Sequence, residues 1–185
     1  ELFRHHDRLA IQERRKVVNE EWLTFKADGH RELAETHKVP LTTPDGQLIG
    51  VLGISHDITA RYESEKKLSL AASVFRAALE GIMITDLSGA ILQVNDAFCT
   101  ITGYQRDEVI GENARILNSG RQSKGFHKKL WQSLQTDLQW SGEIVNRRRS
   151  GELFSVLLHI STALDSKGQP SNYVAVFSDI SALKA

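Results

Sequence analysis

Cysteine, methionine and proline are scarce in this chain: 185 residues hold one Cys, one Met and three Pro. A lone cysteine, Cys99, excludes an internal disulfide framework and fits a reducing compartment, so a cytoplasmic location is expected. No apolar run approaches the roughly 20 residues that span a bilayer, so direct membrane insertion is not expected. Neither sign of charge is in excess, with 23 Lys plus Arg against 23 Asp plus Glu. That excludes the strongly basic face of a nucleic-acid binder. The chain has no initiating Met and no signal-peptide pattern, which predicts a segment of a longer protein. A catalytic constellation is also missing: carboxylates are scattered, Cys99 has no obvious histidine partner, and the glycines punctuate turns rather than a phosphate loop. No enzyme activity is expected of this segment. Arg147-Arg148-Arg149 stands at a strand end and reads as a solvated charge run. His5 and His6, adjacent on a helix, point about 100° apart and do not form a metal pair.

What the chain does hold is a repeat. Residues 140–181 contain three β-rich runs, at 140–147, 153–164 and 172–179, joined by turns carrying Gly151 and Gly168. Short turns of this kind join antiparallel neighbours. Gly29, Gly46 and Asp57 are spaced by 17 and 11 residues, and so are Gly151, Gly168 and Asp179, with one offset of 122 relating the sets. The same offset matches Glu21-Trp22-Leu23 to Glu143-Ile144-Val145 and Asp57-Ile58-Thr59 to Asp179-Ile180-Ser181. Two copies of one module follow.

The first copy occupies residues 1–59 as a C-terminal half: a helix over 1–13 with Leu2, Leu9 and Ile11 as apolar members, then strands at 17–25, 32–41 and 48–57. An incomplete sheet leaves an open edge, so this half is expected to lean on a neighbour or another chain. Residues 60–80 have no Gly or Pro and read as a linker helix capped by Asp57 or Thr59. Leu68, Ala72, Phe75 and Leu79 make a heptad-like stripe on it, for its own domain or for a coiled coil across a dimer. The complete copy spans 81–181: strands at 82–86 and 90–94, short helices at 97–102, 106–110 and 113–117, and a longer helix over 123–136. Phe126, Leu130, Leu134 and Leu138 form its buried stripe. The three-stranded meander then follows, and 182–185 begin an output linker.

Gly89 with 91–95, Phe98, Gly103-Tyr104, Glu108 to Gly111, Asn113-Ala114-Arg115, Gly151 and Asp179-Ile180-Ser181 together resemble a PAS domain with its trailing PAC segment. The resemblance covers 70–181 fully and 1–59 as the half copy, and the run at 118–122 resembles PAS domains of bacterial cyclic-dinucleotide enzymes and hybrid kinases. It implies an α+β fold with a five-stranded antiparallel sheet in order 2-1-5-4-3, helices over one face and a cavity between them. It implies a sensory and dimerisation module, a homodimer through flanking helices, an unknown small-molecule ligand, and an attached diguanylate cyclase, phosphodiesterase or histidine kinase. The pocket would be lined by Ile84, Phe98, Ile101, Asn113, Arg115, Ile116, Leu117, Leu130, Ile144, Asn146, Leu158 and Phe177. Asp57, Thr59, Asp179 and Ser181 would relay the signal, since an acidic side chain accepting backbone N–H bonds fixes the exit direction of the chain.

The resemblance extends to flavin-binding light-oxygen-voltage domains, but residues 111–118 carry Ala114 where the adduct-forming cysteine stands. Asn146 matches that branch, whereas Val156 and Phe177 replace its two other polar ring contacts. Flavin is disfavoured on those grounds. Haem would need an axial histidine; His127, after Phe126 and before two lysines, is expected to face water, and His159 is the better buried candidate. A flavin or haem redox sensor and a ligand-free dimerisation element stay open as alternatives.

Overall fold

The computed structural model describes residues 2–184, with side chains from His5 onward. Glu1, Ala185 and the side chain of Leu2 therefore lie outside the described residues. The chain divides into two compact units, Glu1–Leu70 and Ala71–Ala185.

The first unit is a helix and a meander: α1 (Leu2–Glu13), β1 (Val17–Thr24), β2 (Arg31–Thr42) and β3 (Leu48–Asp57), in sheet order β1-β2-β3. Helix α1 lies on the sheet through a fully buried Ala10, and its Asp7 reaches Lys38 Nζ at 2.7 Å. Lys38 is only 3% exposed, so the carboxylate offsets part of what burying an ammonium group costs. The strands leave a second face with exposed Val18, Trp22, Leu52 and Ile54.

Helix α2 (Thr59–Ala77) follows, ending three residues earlier than the sequence suggests because 78–80 turn into the next strand. Leu79 of the expected stripe therefore falls off the helix and is 93% exposed; Leu68 is 72% exposed.

The second unit runs β4 (Gly81–Thr85), β5 (Ile91–Val94), α3 (Asp96–Thr102), α4 (Arg106–Val109), a 3₁₀ turn (Ala114–Leu117), α5 (Lys124–Thr136), β6 (Gln139–Arg147), β7 (Leu153–Leu164) and β8 (Pro170–Asp179). The antiparallel sheet order is β5-β4-β8-β7-β6, which is the expected 2-1-5-4-3 counted within the unit. Buried side chains of β4, β5, β7 and β8 pack with Phe98 of α3, Val109 of α4 and Leu117 into one core. Asn95 starts α3 by accepting from Phe98 N at 2.9 Å, and Ser123 starts α5 by accepting from Phe126 N at 3.1 Å. Gly81 admits no side chain, since a Cβ there would lie 2.4 Å from the Phe177 ring.

The repeat is visible in the turns. Gly46 N donates to Thr43 O, as Gly168 N donates to Asp165 O, all at the offset of 122. The other turn differs: Gly29 N reaches back to Phe25 O, but Gly151 N reaches only to Arg148 O. Residues 25–30 join Thr24 to Arg31, whereas 148–152 join Arg147 to Leu153, so the first turn is one residue longer. The pairing shows the effect, because Ala34 faces Glu21 while its counterpart Val156 faces Ile144. This corrects the uniform offset: in β1 it is 123, and Glu21, not Trp22, matches Ile144. A non-glycine residue with positive φ follows α1 and α5, Arg14 at 49° and Leu138 at 59°. Leu138 is consequently 37% exposed instead of completing the α5 stripe.

Candidate functional site

Between the sheet of the second unit and α5 lies a cavity of about 330 Å³. Its depth is graded by burial. Met83, Leu117, Leu130, Leu134, Leu158, Ala175 and Phe177 form a buried apolar floor, whereas Ser88, Arg115, Asn118 and Trp131 form an exposed rim. Ile144, Ile160, His127, Tyr173, Asn113 and Ala114 are half-buried between them. Two polar side chains sit at the floor. Thr85 donates to Asp86 O at 2.9 Å, but the Asn146 amide has no hydrogen-bond partner among the described residues. The backbone of Asn146 bridges to Asn118, which brings the segment after the 3₁₀ turn beside β6.

Of the twelve pocket residues expected from the sequence, Asn113, Arg115, Leu117, Leu130, Ile144, Asn146, Leu158 and Phe177 line this cavity. Ile84, Phe98, Ile101 and Ile116 do not. On β4 the inward positions are Gly81, Met83 and Thr85, so strand alternation turns Ile84 outward. Phe98 is fully buried in the core, edge-to-face with Phe177 at 5.8 Å, and closes the region instead of lining it. Ile101 and Ile116 pack against the same core.

The histidines also depart from expectation. His127 lines the cavity, because the inward face of α5 is 127, 130, 131 and 134 at helical spacing, while Phe126 meets Trp140 edge-to-face. His159 is exposed, since Leu158 and Ile160 take the inward positions around it. Among the described residues no group of three or more metal-ligating side chains converges. The donor set does not fit a light-oxygen-voltage flavin site. Ala114 offers no thiol, Val156 is fully buried hydrocarbon, Phe177 puts a ring where a polar contact is needed, and only Asn146 is left to pair. Cys99 packs against the core and burial pushes its thiol up, away from reactivity.

The ends of the two meanders share one hydrogen-bond set. Asp57 Oδ1 accepts from Thr59 N at 2.9 Å and from Thr59 Oγ1 at 2.5 Å, and Thr59 Oγ1 in turn accepts from Leu33 N at 2.8 Å. In the second unit Asp179 Oδ1 accepts from Ser181 N at 2.9 Å and Ser181 Oγ accepts from Ser155 N at 3.0 Å. The second copy adds an ion pair, Arg148 Nη2 to Asp179 Oδ2 at 2.6 Å. Arg148 also donates to Ile101 O and lies 4.2 Å from the centre of the Phe154 ring. It thus ties the end of α3, the start of β7 and the end of β8. Arg147 and Arg149 of the arginine run are exposed, as expected, with Arg147 donating to Asn118 O at 2.8 Å and Arg149 pairing with Glu108 at 2.5 Å; Arg148 alone is drawn in.

Burial pulls the Asp179 carboxyl upward, but hydrogen bonds from Arg148 and Ser181 together outweigh it and hold it below the usual carboxylate range. At Asp57, Thr59 dominates and lowers the carboxyl in the same sense. A depressed folded pKa stabilises the fold fully above the unfolded value of about 3.9 and ceases to do so as pH falls through the folded value. Thermal unfolding of the Asp179→Asn variant should therefore lose less stability than the parent between about pH 5 and pH 2; parallel curves for the two proteins would contradict this.

A sequence model of the family described as "PAS domain" matches residues 79–182, and one described as "PAS fold" matches 1–63. The chain belongs to the PAS domain family. Among relatives, a nitrogen fixation regulatory protein of Klebsiella oxytoca is 34% identical over 100 residues, covering 54% of this chain and 20% of its own. A blue-light-activated histidine kinase of Brucella canis is 30% identical over 120 residues, covering 61% and 24%. The crystal structure of a PAS domain of a Colwellia psychrerythraea protein superposes with a TM-score of 0.60 at 21% identity, covering 63% of this chain and 98% of that one. The chain thus spans about a fifth to a quarter of the curated relatives it matches. PAS domains are sensory modules of signalling proteins, and no helix of the described residues is long and apolar enough to cross a membrane.

Proposed function

We propose that this PAS segment is the sensory and dimerisation module of a bacterial cytoplasmic signal-transduction protein, in which a small molecule in the second unit's cavity biases an attached output domain. That output is a histidine kinase, a diguanylate cyclase or a phosphodiesterase. The observation that carries the reading is the cavity of about 330 Å³ with an apolar floor and a polar rim, within the usual range for a ligand site. The exit set of Asp179, Ser181 and Arg148 supports a relay, because it joins the sheet's last strand to the chain that leaves it; Asp57 and Thr59 do the same for α2. Exposed Leu68, Leu70 and Val74 on α2 support a homodimer formed by helix pairing. The same helix would favour a ligand-free dimerisation element if the cavity never fills.

The test is mass spectrometry of small molecules released by denaturing the chain purified from its host, with light scattering for the mass of the native species. A bound metabolite and a dimer are expected. Within the full-length protein, Ile144→Trp should fill the cavity and remove the response of the output to that molecule, and Asp179→Ala should uncouple the output with the fold intact. No extractable molecule together with an unchanged response in Ile144→Trp would overturn the reading. His127 at the cavity gives the haem alternative a candidate axial nitrogen, and a visible absorption band from the purified chain would favour it.

A further inference from the structure

We infer that the cavity of the second unit takes an organic anion with an apolar body, its charge held at the rim by Arg115 with His127 and a second polar atom met by Asn146. The inference rests on the sensory reading above and names the class of ligand for it.

The lining contains no Asp and no Glu, yet it contains an arginine and a histidine. Several charged side chains of this unit are matched in ion pairs: Arg148 with Asp179, Arg149 with Glu108, and Arg106 with Asp96. Arg115 is the one Lys or Arg in the lining, and it has no carboxylate in ion-pair range among the described residues. Its backbone is fixed, since Arg115 N donates to Asn113 Oδ1 at 3.1 Å and Asn113 Nδ2 donates to Ser88 O at 3.1 Å. The side chain therefore leaves an anchored turn at the cavity rim. A planar guanidinium offers a fork of donors that matches a carboxylate.

Asn146 adds an independent requirement. The residue is 7% exposed, it lines the cavity, and its amide finds no partner among the described residues. The amide atoms are open to the cavity, so a ligand atom that both accepts and donates there takes the place of water at the floor. The rest of the floor is hydrocarbon, with the edge-to-face pair Trp131–Tyr173 at 5.5 Å bordering it. A free phosphate or a sugar would leave that hydrocarbon uncovered, and an uncharged hydrocarbon would leave Arg115 and Asn146 unanswered. An amphipathic anion satisfies both.

Titration calorimetry on the whole 185-residue chain tests this with naphthalene-2-carboxylate and its neutral isostere naphthalene-2-carboxamide. The carboxylate should bind at least about tenfold more tightly than the amide. Arg115→Gln should bring the two to parity by weakening the carboxylate alone, Arg115→Lys should retain part of the preference, and Asn146→Leu should weaken both; circular dichroism establishes that each variant is folded. Equal binding of the two probes by the parent chain would overturn the anion assignment and leave the sensory reading standing. If neither probe binds while extraction returns a neutral molecule, only this inference falls. If neither probe binds, nothing is extracted and Ile144→Trp leaves the output response unchanged, both readings fall.

Discussion

Asn95→Ala should destabilise the second unit by about 3 kcal/mol, lowering its unfolding midpoint by on the order of 10–20 °C. The side chain is fully buried and makes three hydrogen bonds to backbone. Its Oδ1 accepts from Ile82 N at 2.8 Å and from Phe98 N at 2.9 Å, and its Nδ2 donates to Glu80 O at 2.9 Å. One residue thus closes the start of β4, caps α3 and binds the chain that enters the unit. Truncation loses the cap, for which about 1 kcal/mol is typical, and also strands two donors and an acceptor away from water. Asn95→Asp keeps the acceptor but not the Nδ2 donor, so its melting curve should lie between those of Asn95→Ala and the parent. An Asn95→Ala protein melting within a few degrees of the parent would show that water reaches this site.

Phe98→Ala should cost about 3–5 kcal/mol, the range for emptying a large aromatic from a closed core. Phe98 is fully buried among Ile91, Val94, Val156 and Phe177, and its edge-to-face contact with Phe177 adds to the loss. Because Phe177 also lines the cavity, the hole left by Phe98 borders the ligand space. Phe98→Leu, which retains more of the volume, should cost less than half as much in urea denaturation. Equal losses for the two variants would mean that the core collapses onto either side chain.

Much of this architecture was legible in the sequence, and the failures have specific causes. The strands of both meanders are found within two residues of their expected places, because glycine turns punctuate runs of β-branched residues. The start of α3 was legible because Asn95 is a capping residue, and α5 begins within a residue of the expected 123 because its apolar spacing starts there. Ile84 was misplaced because Ile82-Met83-Ile84 is apolar throughout, and periodicity cannot choose a face without the pairing of Met83 to Ala175. On α5 a stripe of every fourth residue drifts about 40° per step, since four residues turn the helix by roughly 400°. Over Phe126 to Leu138 that drift hands the inward face to His127 and Trp131. Arg148 could not be read from its neighbours, because its partners Asp179 and Ile101 are brought to it only by the closed sheet.

The additional residue in the hairpin turn at 25–30 has a practical bearing on any transfer of substitutions between the copies. Numbering by the glycines alone would carry a change at Ile144 to Trp22, whose side chain is on the solvent-facing surface beneath the Arg31 guanidinium. Aligned by ladder partners, the same change belongs at Glu21. A chimera built on the wrong choice would turn the first strand inside out, moving Val18, Glu20 and Trp22 to the side that Val17, Asn19 and Glu21 occupy.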